Sequence, residues 1–117
     1  MAEKEDLIFI EHILDSILAI ENFSKNLPKE KLASSRLKKS AIIREIEVIG
    51  EAVKNISKNL KDKYKEIEWS NISSTRDKMI HHYFGVDLNI VFDIIKKDLP
   101  KLKKLIEKIK EELKMKN

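Results

Sequence analysis

An all-α, up-and-down bundle of four to five helices is what the sequence predicts, on three observations. Two Gly and two Pro in 117 residues leave little room for the turns of a β architecture. Long stretches repeat apolar residues at helical spacing. Hydrophobic residues at 42% and charged residues at 38% suit helices with one buried and one solvated face. At this length the expectation is a single domain over residues 1–117, with one core and something to gain from a partner. The absence of Cys excludes disulfides and thiolate metal sites and is compatible with a reducing cytoplasm. No apolar run approaches a membrane span, and no leader pattern opens the chain.

The first helix is expected from about Ala2 to Lys25. Leu7, Ile10, Leu14 and Leu18 form one stripe; Ile13, Ile17, Ile20 and Phe23 carry the apolar surface much further round. A helix this widely apolar packs on two sides, in the centre of a bundle or against another subunit. His12, set among acidic residues, reads as solvated. Pro28 makes the first turn. A second long helix follows from about Lys31 to Leu60, with Ile42, Ile46, Ile49, Val53 and Ile56 inward. Gly50 in its middle costs roughly 1 kcal/mol against Ala, which a close approach by another helix would explain. Glu47 and Glu51 stand at i, i+4, but no Glu-x-x-His pair accompanies them, so a solvated or Arg-pairing role outweighs a metal site.

Lys61 to Glu68 reads as a charged connector with a helical turn near Tyr64. Trp69 then packs ahead of Ser70, a reasonable N-cap for the next helix. Gly85 is a stop signal and Asp87 the next N-cap. Val91, Ile94 and Ile95 point inward, Pro100 kinks or restarts the chain, and Leu102, Leu105, Ile106, Ile109 and Leu113 give the last helix its stripe.

The chemistry concentrates between Trp69 and Asp87, which holds the only Trp, two of three His and one Gly. Ile72, Arg76, Met79 and Tyr83 fall within roughly 60° of one another on an ideal helix, so Arg76 interrupts an apolar stripe. A buried guanidinium needs an anion: a carboxylate of the protein, with Glu45, Glu47 and Glu51 as candidates, or a phosphate arriving from outside. His81 lies about 140° round from Arg76; the two converge if the helix loosens near Gly85, or across a symmetric dimer. An imidazole beside a fixed cation and a phenol suits RNA cleavage without metal. One group takes the 2′-OH proton, a cation holds the phosphorane charge, and an acid protonates the leaving 5′-oxygen. His81 could be the base or the acid, Arg76 the charge stabiliser, and Tyr83 a phosphate-positioning group or proton donor. His82 takes the place of His81 if the register is one residue off. Ser73, Ser74 and Thr75 read either as phosphate contacts or as surface polar residues. A salt-bridged structural Arg and a dipole-complementing His are the competing reading.

The segment RDKMIHHYFGVD resembles the signature of the HEPN superfamily, specifically its HepT-like branch. Arg76, Asp77, His81 and Tyr83 occupy the four motif places. AIIREIEVIGEAVKNIS, EIEWSNISSTRD and VDLNIVFDIIKKDLPKLKKLI resemble the family's second long helix, the approach to its active helix and its C-terminal pair. The resemblance implies an all-α homodimeric ribonuclease toxin acting without a cofactor, its Arg and His cleaving RNA at a cleft on the dimer axis. It also implies a partner, a minimal nucleotidyltransferase antitoxin that can adenylylate the motif Tyr, here Tyr83. The family often has Asn after the Arg. Asp77 stands there instead and repels an incoming phosphate, as part of the same phosphate environment as His82. A non-catalytic helical module that docks a nucleotidyltransferase, or binds a mononucleotide, is the alternative.

Charge is uneven. From Lys96 onward nine Lys face four acidic residues, against a net charge of +4 for the whole chain. The terminal helix therefore carries a face that draws in RNA or an acidic partner, or one that only solubilises the chain.

Overall fold

The computed structural model describes residues 2–80 and 88–115; for residues 2–4 and 76–80 it describes the helical backbone but not the side chains. Every regular element among these residues is helical: α1 Ala2–Ser24, α2 Lys29–Ser34, α3 Arg36–Lys54, α4 Lys58–Lys63, α5 Trp69–Ile80, α6 Leu88–Asp93, a π-helical turn Ile94–Asp98, and α7 Leu99–Met115. The all-α bundle expected from periodicity is what forms, elongated at 45 × 28 × 21 Å. No helix among the described residues is long and apolar enough to cross a membrane.

α1 packs against both α3 and α7, and α3 also packs against α5. The wide apolar surface of α1 is therefore used twice. Its buried surface is Ile10, Ile13, Ile17 and Ile20, each 0% exposed, with Leu14 at 8%; of the expected stripe, Leu18 is the member left out, at 44%. Against them pack Ile42, Ile46, Ile49 and Val53 of α3 and Leu102, Ile106, Ile109 and Leu113 of α7, all buried. Lys103 and Lys110 of α7 add ion pairs back to α1, at 3.0 Å to Glu21 and 3.7 Å to Glu11.

Two expected boundaries move. The long second helix is divided into α2, α3 and α4. Ser35 is extended (φ −99°, ψ 96°) and its side chain accepts from the Lys38 amide at 3.2 Å. At the far end the Asn55 side-chain amide donates to the Glu51 carbonyl at 2.9 Å, and Ser57 caps α4 by accepting from the Leu60 amide at 3.2 Å. Apolar spacing runs on through these positions, but short polar side chains compete for the backbone and end each helix. Pro100 stands at the second position of α7, directly after the π-helical turn, the early helical place expected for it. Backbone on both sides of the π-helical turn is right-handed α (Asp93 φ −64°, ψ −39°; Leu99 φ −63°, ψ −40°), so the chain is continuously helical from Leu88 to Met115. The Leu99 amide reaches back to the Ile94 carbonyl. Widening by one residue just ahead of Pro100 relieves the clash and the missing donor that proline brings to an α-helix.

One buried polar contact has no local sequence signal. Asp6 of α1, 2% exposed, accepts from the Ser57 amide at 2.8 Å and from the Ser57 hydroxyl at 2.5 Å. It ties the first helix to the start of α4 across 51 positions of chain.

Candidate active site at the end of helix α5

α5 starts at Trp69, not after a Ser70 cap. The Glu68 carbonyl accepts from the Ile72 amide at 3.1 Å, and the Glu68 carboxylate accepts from the Asn71 side-chain amide. Trp69 is the anchor: buried at 8% exposure, it donates its indole N–H to the Tyr64 carbonyl at 3.1 Å. The connector thus folds back and fixes where the helix begins.

Gly50 fixes how close α5 lies. A Cβ built there would meet the Ser73 carbonyl oxygen at 3.5 Å and the Ile72 carbonyl oxygen at 3.6 Å. The backbone of α5 crosses α3 at this point, which explains a mid-helix glycine. A methyl group would just touch; a longer side chain would push into backbone.

Ser73, Ser74 and Thr75 are committed within the helix. Their hydroxyls donate to the Ser70 carbonyl at 3.0 Å, the Asn71 carbonyl at 3.2 Å and the Asn71 carbonyl at 2.7 Å. Bonds of this kind suit the reading of these three as surface polar residues of the helix.

The helical backbone continues through Arg76 and Asp77 to Ile80; the side chains of these two residues lie outside the described residues. His81, His82 and Tyr83, with Gly85 and Asp87, lie outside the described residues altogether. Of the carboxylates considered as partners for Arg76, Glu51 is paired to Lys54 at 3.4 Å on an exposed face. Glu47 is half-buried on α3, one turn before Gly50.

Beside α5 runs a groove of about 430 Å³. Its apolar lining comes from Ile46 and Ile49 of α3, Ile72 of α5, Ile94 of the π-helical turn, and Leu102 and Leu105 of α7. Thr75, the residue before Arg76, lines it, and so do Glu66, Glu68, Asp98 and Lys101. Among its described lining residues, three carboxylates against one ammonium disfavour phosphate.

The sequence profile described as Ribonuclease HepT-like matches residues 13–109. A Methanocaldococcus jannaschii protein, named as a gamma-glutamylcyclotransferase and provisionally as an RNase, is 44% identical over 110 residues; these are 94% of this chain and 50% of that protein. A second protein from the same organism, provisionally named an RNase, is 40% identical over 113 residues, 97% of each chain. A Thermococcus cleftensis protein named probable ribonuclease HepT is 38% identical over 102 residues, 87% of this chain and 93% of that one. The chain thus spans half the length of the first of these relatives and nearly all of the other two. No solved structure matches significantly. With a profile match covering most of the bundle and relatives above 30% identity across nearly their whole length, the chain belongs to the HepT-like ribonuclease family of the HEPN superfamily.

Proposed function

We propose that this chain is a metal-independent endoribonuclease, one domain over residues 1–117, that acts as a homodimer in the cytoplasm. The observation that carries the reading is the family match across residues 13–109 with Arg76, His81 and Tyr83 in the motif places. A base, His81 or its counterpart from the second subunit, removes the 2′-OH proton, and the oxygen attacks the adjacent phosphorus. Arg76 holds the charge that builds on the phosphoryl oxygens. The 5′-oxygen leaves with a proton from the acid, giving a 2′,3′-cyclic phosphate and a 5′-OH. Tyr83 positions the phosphate, and its phenol is the site a minimal nucleotidyltransferase antitoxin adenylylates to silence the enzyme. Asp77 and His82 complete the phosphate environment.

The test is cleavage of a long single-stranded RNA in EDTA. Products should carry cyclic phosphate and 5′-OH ends, and Arg76→Ala and His81→Ala should each lower the rate by about 10² to 10⁴. Loss of cleavage with EDTA, or 5′-phosphate products, would end this mechanism.

A second reading has its own support: Asp77 beside Arg76, and the acid-rimmed apolar groove at Thr75, both suit docking of a protein better than binding of RNA. In that case the two variants keep toxicity and lose the nucleotidyltransferase. A mononucleotide role predicts that ATP or AMP binds the isolated chain at equilibrium.

A further inference from the structure

We propose that the solvent face of α7 is a nucleic-acid track, on which Lys101, Lys104 and Lys108 hold the phosphate backbone of the RNA strand being cleaved. This rests on the ribonuclease reading and extends it to how the substrate is held.

Packing sorts five of the six lysines of α7 into two sets. Lys103 and Lys110 turn toward α1, their side chains 28% and 25% exposed and paired to Glu21 and Glu11. Lys101, Lys104 and Lys108 are exposed, within about 60° of one another round the helix and turned away from the buried Leu102, Ile106, Ile109 and Leu113. None of the three has an ion pair among the described residues. Lys97 stands one turn ahead, loosely held by Asp93 at 4.0 Å. Glu111, on the same face beyond Lys108, ends the series.

The spacing fits one strand. Steps of three and four residues at about 1.5 Å each set neighbouring ammonium groups roughly a helical turn apart, comparable to the repeat of phosphates along a nucleic-acid strand. Lysine offers a mobile point charge that reads phosphate and not base. A protein docking surface is usually built around an apolar centre. The exposed large hydrophobics among the described residues are Ile8, Leu18, Leu37 and Met115, none between Lys97 and Lys108. The track is also continuous with the candidate site: Lys101 lines the same groove as Thr75, next in sequence to Arg76. Glu66, Glu68 and Asp98 in that groove keep the strand on the lysine edge.

The experiment measures binding of a labelled 2′-O-methyl RNA of about a dozen nucleotides, which has no nucleophile to react, across a salt series. The triple variant Lys101→Gln, Lys104→Gln, Lys108→Gln should weaken binding about tenfold or more and reduce the slope of log affinity against log salt by about two. The triple Lys103→Gln, Lys110→Gln, Lys114→Gln takes the two paired lysines and Lys114, exposed one turn beyond Lys110, removes the same charge away from the track, and should stay within about twofold of wild type. Equal losses in both triples would mean a diffuse field and overturn the track, as would an unchanged track triple. Polyglutamate binding wild type as tightly as RNA, and lost in the track triple, would make the face a site for acidic protein and overturn it too. Arg76→Ala, assayed on cleavable RNA, reports separately: cleavage surviving that change removes the ribonuclease site and leaves the binding comparison readable.

Discussion

Helices α1 and α5 both pack on α3, and they do so by opposite means. α1 presents four isoleucines that are fully buried, stiff side chains that fill space between two neighbours. α5 buries only Trp69 among its described side chains. It is held by that indole at its first residue and by backbone contact at Gly50, while its hydroxyls bond its own carbonyls. The α1 region supplies stability. α5 supplies position, setting where the last turn with Arg76 begins. Elements that carry function are commonly drawn from the less strongly packed part of a fold.

The largest expected effect tests the first half of that contrast. Ile17→Ala should cost about 3 kcal/mol of unfolding free energy, measured by urea denaturation, because a fully buried side chain is removed from the helix that packs on both α3 and α7. A loss below about 1 kcal/mol would mean that the seam collapses around the gap.

Gly50 tests the second half. Valine there drives methyl groups into the α5 backbone and should cost about 1–3 kcal/mol, with cleavage falling proportionally further than stability because α5 is the element displaced. Alanine, whose Cβ would sit 3.5 Å from the Ser73 carbonyl oxygen, should be tolerated and gain up to about 1 kcal/mol of helix propensity. Equal effects of the two changes would show that close approach is not what holds α5.

Tyr64 joins the two regions. Its carbonyl takes the Trp69 indole, yet its buried hydroxyl has no hydrogen-bond partner among the described residues. Tyr64→Phe keeps the ring and the carbonyl and should change stability by less than about 1 kcal/mol, in the favourable direction. A clear loss would mean that the hydroxyl has a partner, such as a buried water.

The smallest effect concerns the α1–α7 seam at high pH. The Glu21 carboxylate, hydrogen-bonded to Lys103, raises that lysine's pKa above its ordinary value. A raised lysine pKa contributes stability that is fully present below the unfolded pKa and is lost as pH climbs through the folded one. Thermal scans of wild type and Lys103→Met should therefore differ slightly at neutral pH and converge only in the strongly alkaline range.

Much of the bundle was legible in the residues alone. Apolar periodicity is a local property, so the existence of α1, α3 and α7 and most of their buried positions follow from spacing. The motif places at Arg76, Asp77, His81 and Tyr83 are equally local and sufficed to place the chain in its family. Gly50 announced that a helix passes close by; only the fold showed that α5 is that helix.

What tertiary structure decided is whatever depends on residues far apart in the chain or on competition for the backbone. The Asp6–Ser57 contact spans 51 positions, and no pattern within either segment encodes it. The split of the second helix at Ser35 and Asn55, and the absorption of Pro100 by a π-helical turn, depend on where hydrogen bonds are best satisfied once neighbours are in place. The division of the α7 lysines into paired and exposed sets arises because α1 lies along one flank and water along the other.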